Sequence, residues 1–275
     1  RTPTNGNAAQ SATAYLSLAT LTTEPNGTEF LEFTVASSTA ASGAIITVTQ
    51  SAATVGTVTI PDSASSVDGS VSNSWNSYDT IVGGDGTDTL TAAVTNVTVR
   101  PNMTGVENLV LDDDGGATLN MVDVTGLTSI TSQGSGNAAD IQNLQSVGSA
   151  SFQNTTAGLS LGYTAAATSG GSDDLAINVQ GVTLAGNIVL TAATNTIEAV
   201  SIASTVSANT IADLQSTGAG TTTLNISGDQ DLTITTNLDT EITSVSAANF
   251  SGALSITGTN ATGTTITSGS GDDTI

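Results

Sequence analysis

The sequence contains no cysteine, no histidine and no lysine, and its only two basic residues are Arg1 and Arg100. Without these side chains the chain cannot assemble a Ser/His/Asp triad, a Cys/His pair or a Ser/Lys pair for nucleophilic catalysis. A typical zinc site is excluded for the same reason, because its ligands are cysteine and histidine. We therefore expect a protein that is not an enzyme.

Aromatic residues make up only 3% of the chain, although hydrophobic residues reach 37%. A core must therefore be built from Val, Ile, Leu and Ala side chains and from threonine methyl groups. Carboxylate pairs can hydrolyse glycosides, but the chain lacks an aromatic platform on which sugars could stack. Thr, Ser, Asn and Gly fill most of the remainder, and they suit strands and turns better than helix interiors. We predict an all-β protein, with one short helical turn at residues 208–215.

The chain is strongly acidic: its 24 acidic residues and two basic residues give a net charge of -22. Nucleic acids and anionic membranes bind proteins through Lys and Arg, so neither is expected as a partner. No apolar run approaches the roughly 18 residues that span a bilayer, so we expect no membrane insertion. The same charge predicts self-repulsion that cations would relieve.

Short aliphatic segments recur from about residue 90 onwards and are separated by turns rich in Gly, Ser and Asn. The first three begin 17 to 21 residues apart, the length of one solenoid coil. This pattern favours a parallel β-helix, in which each coil covers the apolar face of the next. A Greek-key sandwich is the competing interpretation. The segments are 106–111, 127–130, 144–147, 175–179, 197–202, 224–226, 232–234, 242–245 and 254–256.

The first section of the chain has a different pattern. After a polar arm of about a dozen residues, alternating runs at 15–21 and 30–35 flank Glu24-Pro-Asn-Gly27, which predicts a β-hairpin. We place a small β-sandwich-like or antiparallel section at residues 1–76. The predicted solenoid occupies residues 77–275, and we expect it to continue beyond residue 275.

One motif stands out at the start of the predicted solenoid. The half-repeat Asp79-Thr80-Ile81 precedes a glycine–aspartate nonapeptide, and a degraded second copy lies at residues 268–275. Glycines permit tight turns whose carbonyls point into the loop, and aspartates add hard carboxylate oxygens, which are the ligands that Ca²⁺ prefers. The candidate ligands are Asp79, Gly83, Gly84, Asp85, Gly86, Asp88, Asp272 and Asp273. A metal-free acidic turn is the alternative.

These residues resemble the repeats of RTX-type secreted proteins and, with the strand-rich remainder, the calcium-dependent S-layer proteins of Gram-negative bacteria. The resemblance implies a parallel β-roll with calcium between stacked turns, and type I secretion without an N-terminal signal. The chain departs from the family pattern because a complete site needs two stacked turns and only a half-repeat precedes Gly83. The motif covers less than a tenth of the chain.

Further acidic clusters are candidates for additional calcium sites. The strongest is Asp112-Asp113-Asp114, which is followed by two glycines at the end of a predicted strand. Three adjacent like charges repel one another unless a cation or solvent screens them. Asp173 with Asp174, and Asp229 with Asp231, form similar turns, for which a solvated turn is at least as good an explanation.

The sequence therefore predicts a secreted structural protein on the bacterial cell surface, resembling an S-layer protein, whose folding and self-assembly depend on Ca²⁺. Its expected partner is a second copy of itself, in a lattice or fibre, with cell-surface polysaccharide as another candidate. One alternative is a fibre-forming or adhesive protein assembled by strand donation. Another is the non-catalytic spacer of a secreted RTX protein.

Overall fold

The computed structural model confirms an all-β protein built from parallel strands stacked as a β-solenoid. The structure describes residues 66–70, 72–73, 75–77, 79–257 and 263–275, and the backbone of four short strands before residue 66 is considered only where its pairing is given. Each coil adds one strand to a long sheet and one or two strands to shorter sheets on the other sides.

The strands form four parallel sheets, and a separate antiparallel pair joins Thr22–Thr23 to Glu29–Phe30. The long sheet contains Ile45–Thr47, Ser66–Gly69, Thr89–Val94, Asn108–Asp113, Ser129–Gln133, Ser149–Gln153, Asp174–Gln180, Ala199–Thr205, Thr223–Gly228, Ser244–Phe250 and Thr265–Thr267. The six-stranded sheet contains Thr98–Val99, Thr118–Asn120, Ala139–Leu144, Leu159–Tyr163, Ile188–Ala192 and Leu214–Gln215. The first four-stranded sheet contains Thr57–Thr59, Thr80–Val82, Asn102–Thr104 and Asp123–Thr125, and the second contains Thr183–Leu184, Asn209–Ile211, Leu232–Asn237 and Leu254–Thr257.

Parallel register aligns the aliphatic residues of successive coils. Leu90 pairs with Leu109, Leu109 with Ile130 and Ile130 with Ala150, and all four side chains are buried. The coil length is not constant: 19 residues separate Asp88 from Glu107, and 27 separate Val182 from Asn209. Most ladders keep their register because additional residues lie in the corners. A β-bulge or irregularity interrupts three pairings: Ala139–Leu144 with Leu159–Tyr163, Thr223–Gly228 with Ser244–Phe250, and Leu232–Asn237 with Leu254–Thr257.

The core forms because inward and outward side chains alternate along each strand. Thr89–Val94 and Asn108–Asp113 both alternate between half-buried and buried positions. Most inward positions hold hydrophobic side chains, and Phe152 and Phe250 are among the largest fully buried ones. Stacking of each coil on the next therefore removes an apolar column from water, which is the main stabilising term of such a fold.

Three sequence-based expectations can be compared with these strands. The Greek-key alternative is wrong for the described residues, because every pairing within the solenoid is parallel. The antiparallel pair lies where the hairpin was predicted, while the remainder of its predicted strands lies outside the described residues. The parallel ladder also crosses the boundary placed after residue 76, because Ser66–Gly69 pairs with Thr89–Val94.

The helical turn predicted at residues 208–215 is wrong. Asn209–Ile211 and Leu214–Gln215 are strands, and the short 3₁₀ helix of this region is Thr217–Ala219. The buried Asn209 explains the difference: its side chain accepts a hydrogen bond from the N–H of Val182 at 2.8 Å and donates to the Oγ of Ser204 at 2.8 Å. The bond from the preceding coil and the bond within its own coil outweigh the weak helical preference of the segment.

The corner after the long sheet adopts a left-handed backbone in four consecutive coils. The register from Gln133 through Thr205 places Gly134, Asn154, Gly181 and Val206 at equivalent positions, with φ of 81°, 46°, 67° and 73°. Glycine and asparagine tolerate this conformation, whereas a β-branched residue is strained in it. Val206 is 73% exposed, so little packing offsets its strain.

Replacing Val206 by glycine is expected to raise the free energy of unfolding by about 0.5 to 1 kcal/mol, because strain relief exceeds the greater chain entropy of glycine. Denaturant unfolding of the two proteins measures this difference. Val122→Gly is a matched control, since Val122 is also an exposed valine but has no positive φ. A loss of stability in V206G equal to that in V122G would contradict the assignment of strain.

No helix within the described residues is long and apolar enough to cross a bilayer.

Candidate metal-binding turns

The glycine–aspartate motif forms the turn between Thr80–Val82 and the long-sheet strand Thr89–Val94. Gly83 opens this turn, and its N–H donates to the carbonyl of Thr104 in the next coil at 2.7 Å. A Cβ on Gly83 would lie 1.6 Å from the carbonyl oxygen of Gly105. The first glycine of the motif is therefore required for close contact between coils, independently of any metal binding.

Asp88 faces the interior of this turn and is fully buried. Its Oδ2 accepts a hydrogen bond from the N–H of Gly84 at 2.9 Å, so the carboxylate closes its own turn. Its backbone N–H donates to Oε2 of Glu107 in the next coil at 2.8 Å. Asp85 and Gly86, by contrast, are exposed to solvent.

The second copy of the motif repeats this arrangement. Asp273 accepts a hydrogen bond on Oδ2 from the N–H of Gly269 at 3.1 Å, the same four-residue separation as between Asp88 and Gly84. Its Oδ1 accepts from the N–H of Leu254 in the preceding coil at 2.9 Å. The neighbouring Asp272 is exposed. In both copies, the last aspartate of the motif accepts a hydrogen bond from the backbone N–H group four residues before it.

Asp79 lies just before the strand that enters the first motif, and it is 6% exposed. Its Oδ2 accepts a hydrogen bond from the N–H of Asn76 at 2.9 Å, and its own N–H donates to the carbonyl of Asn76 at 3.2 Å. These two bonds make it part of a local turn. Its carboxylate therefore has a structural role besides the predicted metal role.

The triple-aspartate turn contains two kinds of carboxylate. Asp113 ends the strand Asn108–Asp113 on an inward position and is fully buried. Its Oδ1 accepts from the N–H groups of Gly115 at 2.9 Å and Gly116 at 3.0 Å, and its Oδ2 accepts from that of Ala117 at 2.8 Å. Three charge-assisted hydrogen bonds hold this corner.

Asp112 and Asp114 flank Asp113 and point outward, with Asp112 half-buried and Asp114 exposed. Oδ1 of Asp112 is shielded from solvent and has no hydrogen-bond partner within the described residues. Desolvation, followed by repulsion from Asp114 and Asp113, raises the pKa of Asp112. The next coil approaches these carboxylates at Gly134 and Gly136, where a Cβ would lie 3.2 Å from a carboxylate oxygen.

Two glutamates that the sequence did not single out contact the aspartate of the preceding coil. Oε2 of Glu198 accepts from the N–H of Asp173 at 2.7 Å, as Glu107 does from Asp88. Hydrogen bonds from Thr196 and from the Asp173 backbone lower the pKa of Glu198. In both pairs, the aspartate and the glutamate each lie two residues before an aliphatic residue. Aligning the sequences of successive coils on these aliphatic residues would therefore have revealed both pairs.

The carboxylates have few positive partners inside the chain. The one ion pair in the described part joins Nε of Arg100 to Oδ2 of Asp123 at 2.6 Å, and both side chains are largely exposed. No group of three or more acidic side chains converges on a common point among those residues. The predicted ligands therefore lie in separate turns and are not brought into one cage.

A hard cation fits one of these turns better than the others. Backbone N–H groups already donate hydrogen bonds to the carboxylates of Asp88, Asp113 and Asp273. The buried oxygen of Asp112 that lacks a partner, with Asp114 beside it, is the kind of oxygen donor that Ca²⁺ takes. Among the predicted ligands, Asp112 and Asp114 are therefore the carboxylates most available to a cation.

Fold and turns together define a parallel β-solenoid with acidic corners. Comparison of the chain with protein-family models, with curated proteins and with solved structures finds no match.

Proposed function

We propose that the chain is a structural, self-assembling protein of the bacterial cell surface, similar to S-layer proteins, in which Ca²⁺ stabilises acidic turns and links subunits. The observation that carries this proposal is the placement of acidic residues at the turns of successive coils, with only one ion pair among the described residues. A solenoid whose chain has no histidine, cysteine or lysine and carries a net charge of -22 suits a scaffold that cations hold together.

The size of the repulsion supports a role for cations. Neighbouring coils are about 4.8 Å apart, and two charges at that distance repel by roughly 1 kcal/mol in water and by about 3 to 4 kcal/mol near a protein surface. In the triple-aspartate turn, repulsion from Asp114 and Asp113 contributes, after desolvation, to the raised pKa of Asp112. Divalent cations would remove this repulsion within one subunit and between subunits.

Calcium ions would bind at three separate turns, through the exposed or half-exposed carboxylates of Asp112 with Asp114, of Asp85 and of Asp272. Calcium bound there would supply positive charge, and the carboxylates of each turn would supply oxygen atoms that coordinate it. Extracellular calcium modules commonly bind with dissociation constants of about 10⁻⁴ to 10⁻³ M, which matches a protein that assembles outside the cell.

Millimolar calcium is expected to convert dispersed protein into ordered sheets or filaments, and a chelator is expected to reverse this. Electron microscopy and light scattering of the purified chain measure the outcome. Magnesium at the same concentration is the control, because it retains its water shell more firmly and should assemble the protein less well. The double variant D112N/D114N keeps side-chain size while removing two charges and the strongest donor pair, and it should require more calcium.

Protein that stays dispersed in calcium and in chelator would refute calcium-driven assembly. If calcium then raised only the unfolding temperature, the spacer role would be favoured. Filaments that form equally well with chelator would favour assembly by strand donation.

A further inference from the structure

Aspartate followed by glycine is the dipeptide most prone to spontaneous isomerisation, because glycine places no side chain near the attacking backbone nitrogen. The sequence contains three such pairs: Asp68-Gly69, Asp85-Gly86 and Asp114-Gly115. All three lie within the described residues, so their environments can be compared directly. Their chemistry is the same, and differences in reactivity must therefore come from the fold.

We propose that Asp85 is a site of backbone modification, at which the folded protein converts aspartate to isoaspartate while Asp68 and Asp114 are protected. This inference does not depend on the proposed function.

Asp85 lies where the chain is least restrained. Residues 85–87 are all exposed, and no hydrogen bond to any of the three is formed within the described part of the chain. The N–H of Gly86 is therefore free to approach the carboxyl carbon of Asp85. The turn is bounded on both sides by bonded residues, since Gly84 donates to Asp88 and Asp88 donates to Glu107.

The other two pairs are held by the fold. The N–H of Gly115 donates to Oδ1 of Asp113 at 2.9 Å, so it must break a charge-assisted bond before it can attack Asp114. Gly69 is buried inside the strand Ser66–Gly69 and pairs in register with Ala92. Attack on Asp68 would require this strand to leave the long sheet.

The reaction needs only water. The backbone nitrogen of Gly86 bonds to Cγ of Asp85, the carboxyl group loses its hydroxyl, and the N–H proton completes the departing water molecule. This gives a cyclic succinimide. One water then opens the ring: cleavage at the original backbone carbonyl gives isoaspartate, and cleavage at the side-chain carbonyl restores aspartate. Isoaspartate lengthens the backbone by one methylene just before Asp88.

Long incubation of the folded protein with a chelator, followed by proteolysis and mass spectrometry, tests the proposal. Incubation in heavy-oxygen water marks every site that has passed through the succinimide. Isoaspartate at position 85 is expected to exceed that at positions 68 and 114 several-fold. In denaturant, the three sites should react at similar rates, which provides the control within the same chain.

Equal modification of the three sites in the folded protein, or faster modification at position 68 or 114, would overturn the proposal. Two variants sharpen the comparison. D85E should abolish the signal, because its ring would have six members. D113A should raise isoaspartate at Asp114 by freeing the N–H of Gly115, and circular dichroism checks that this variant remains folded. If D113A unfolds, the comparison of the three sites within the unsubstituted chain still tests the proposal.

Discussion

Replacing Gly83 by alanine is expected to lower the free energy of unfolding by about 3 kcal/mol or more, the upper end of overpacking effects. The added methyl group would lie 1.6 Å from the Gly105 carbonyl oxygen and 2.8 Å from Oδ2 of Asp88. The first of these contacts is with backbone, so no side-chain rotation can relieve it. The two coils must separate, and the 2.7 Å bond from Gly83 to Thr104 would weaken with them.

Gly171→Ala is the matched control for this prediction. Gly171 is exposed, has no atom within 4 Å of the position of an added Cβ, and has no positive φ. Its replacement should leave stability unchanged or raise it by about 0.4 to 1 kcal/mol, because alanine restricts the unfolded chain. Denaturant unfolding with a chelator present gives both values. Similar stability in G83A and G171A would show that the coils are not in close contact at Gly83.

The second large effect is expected for Asp113→Ala. The substitution leaves the N–H groups of Gly115, Gly116 and Ala117 without their acceptor in a partly buried corner. Each unsatisfied buried group costs about 1 to 3 kcal/mol. Because water can enter the opened corner and recover part of this, we expect a total loss of about 3 kcal/mol, measured by denaturant unfolding in chelator.

Asp114→Ala serves as the neighbouring control. Asp114 is exposed and next to two other carboxylates, so its removal should change stability by no more than about 0.5 kcal/mol in chelator. The two variants also separate structure from metal binding. D113A should destabilise the protein without calcium, whereas D114A should mainly reduce the stabilisation that added calcium provides. Equal loss in both variants in chelator would contradict the distinct roles assigned to these carboxylates.

The sequence was sufficient to predict the solenoid because its strands carry paired aliphatic residues at coil spacing. Val106–Leu111 and Leu175–Val179 overlap the observed strands Asn108–Asp113 and Asp174–Gln180. The aliphatic segment 144–147 does not form a strand of its own. Leu144 ends a strand of the six-stranded sheet, and the next long-sheet strand begins at Ser149. Aliphatic spacing alone cannot tell which side of a coil a segment occupies.

The orientations of the carboxylates were harder to predict. Asp88 and Asp85 belong to one motif, yet Asp88 is buried against backbone N–H groups and Asp85 is exposed. Which carboxylate oxygen accepts a hydrogen bond from an N–H group depends on where the preceding glycine turns the chain. Residue types alone do not determine that geometry. Glu107 and Glu198 were missed because each partner lies one coil away.

The variable coil length has a consequence for protein engineering. Ala150 and Ile177 are paired neighbours in the long sheet although 27 residues separate them, whereas the preceding coil pairs Ile130 with Ala150. Much of the difference lies in the corner that precedes Asp173, where residues 169–172 are exposed. Foreign peptides inserted at that corner should leave both flanking ladders intact. Inserting peptides at this corner in several coils would display epitopes at a constant spacing along the solenoid. That spacing would not depend on the length of each insert.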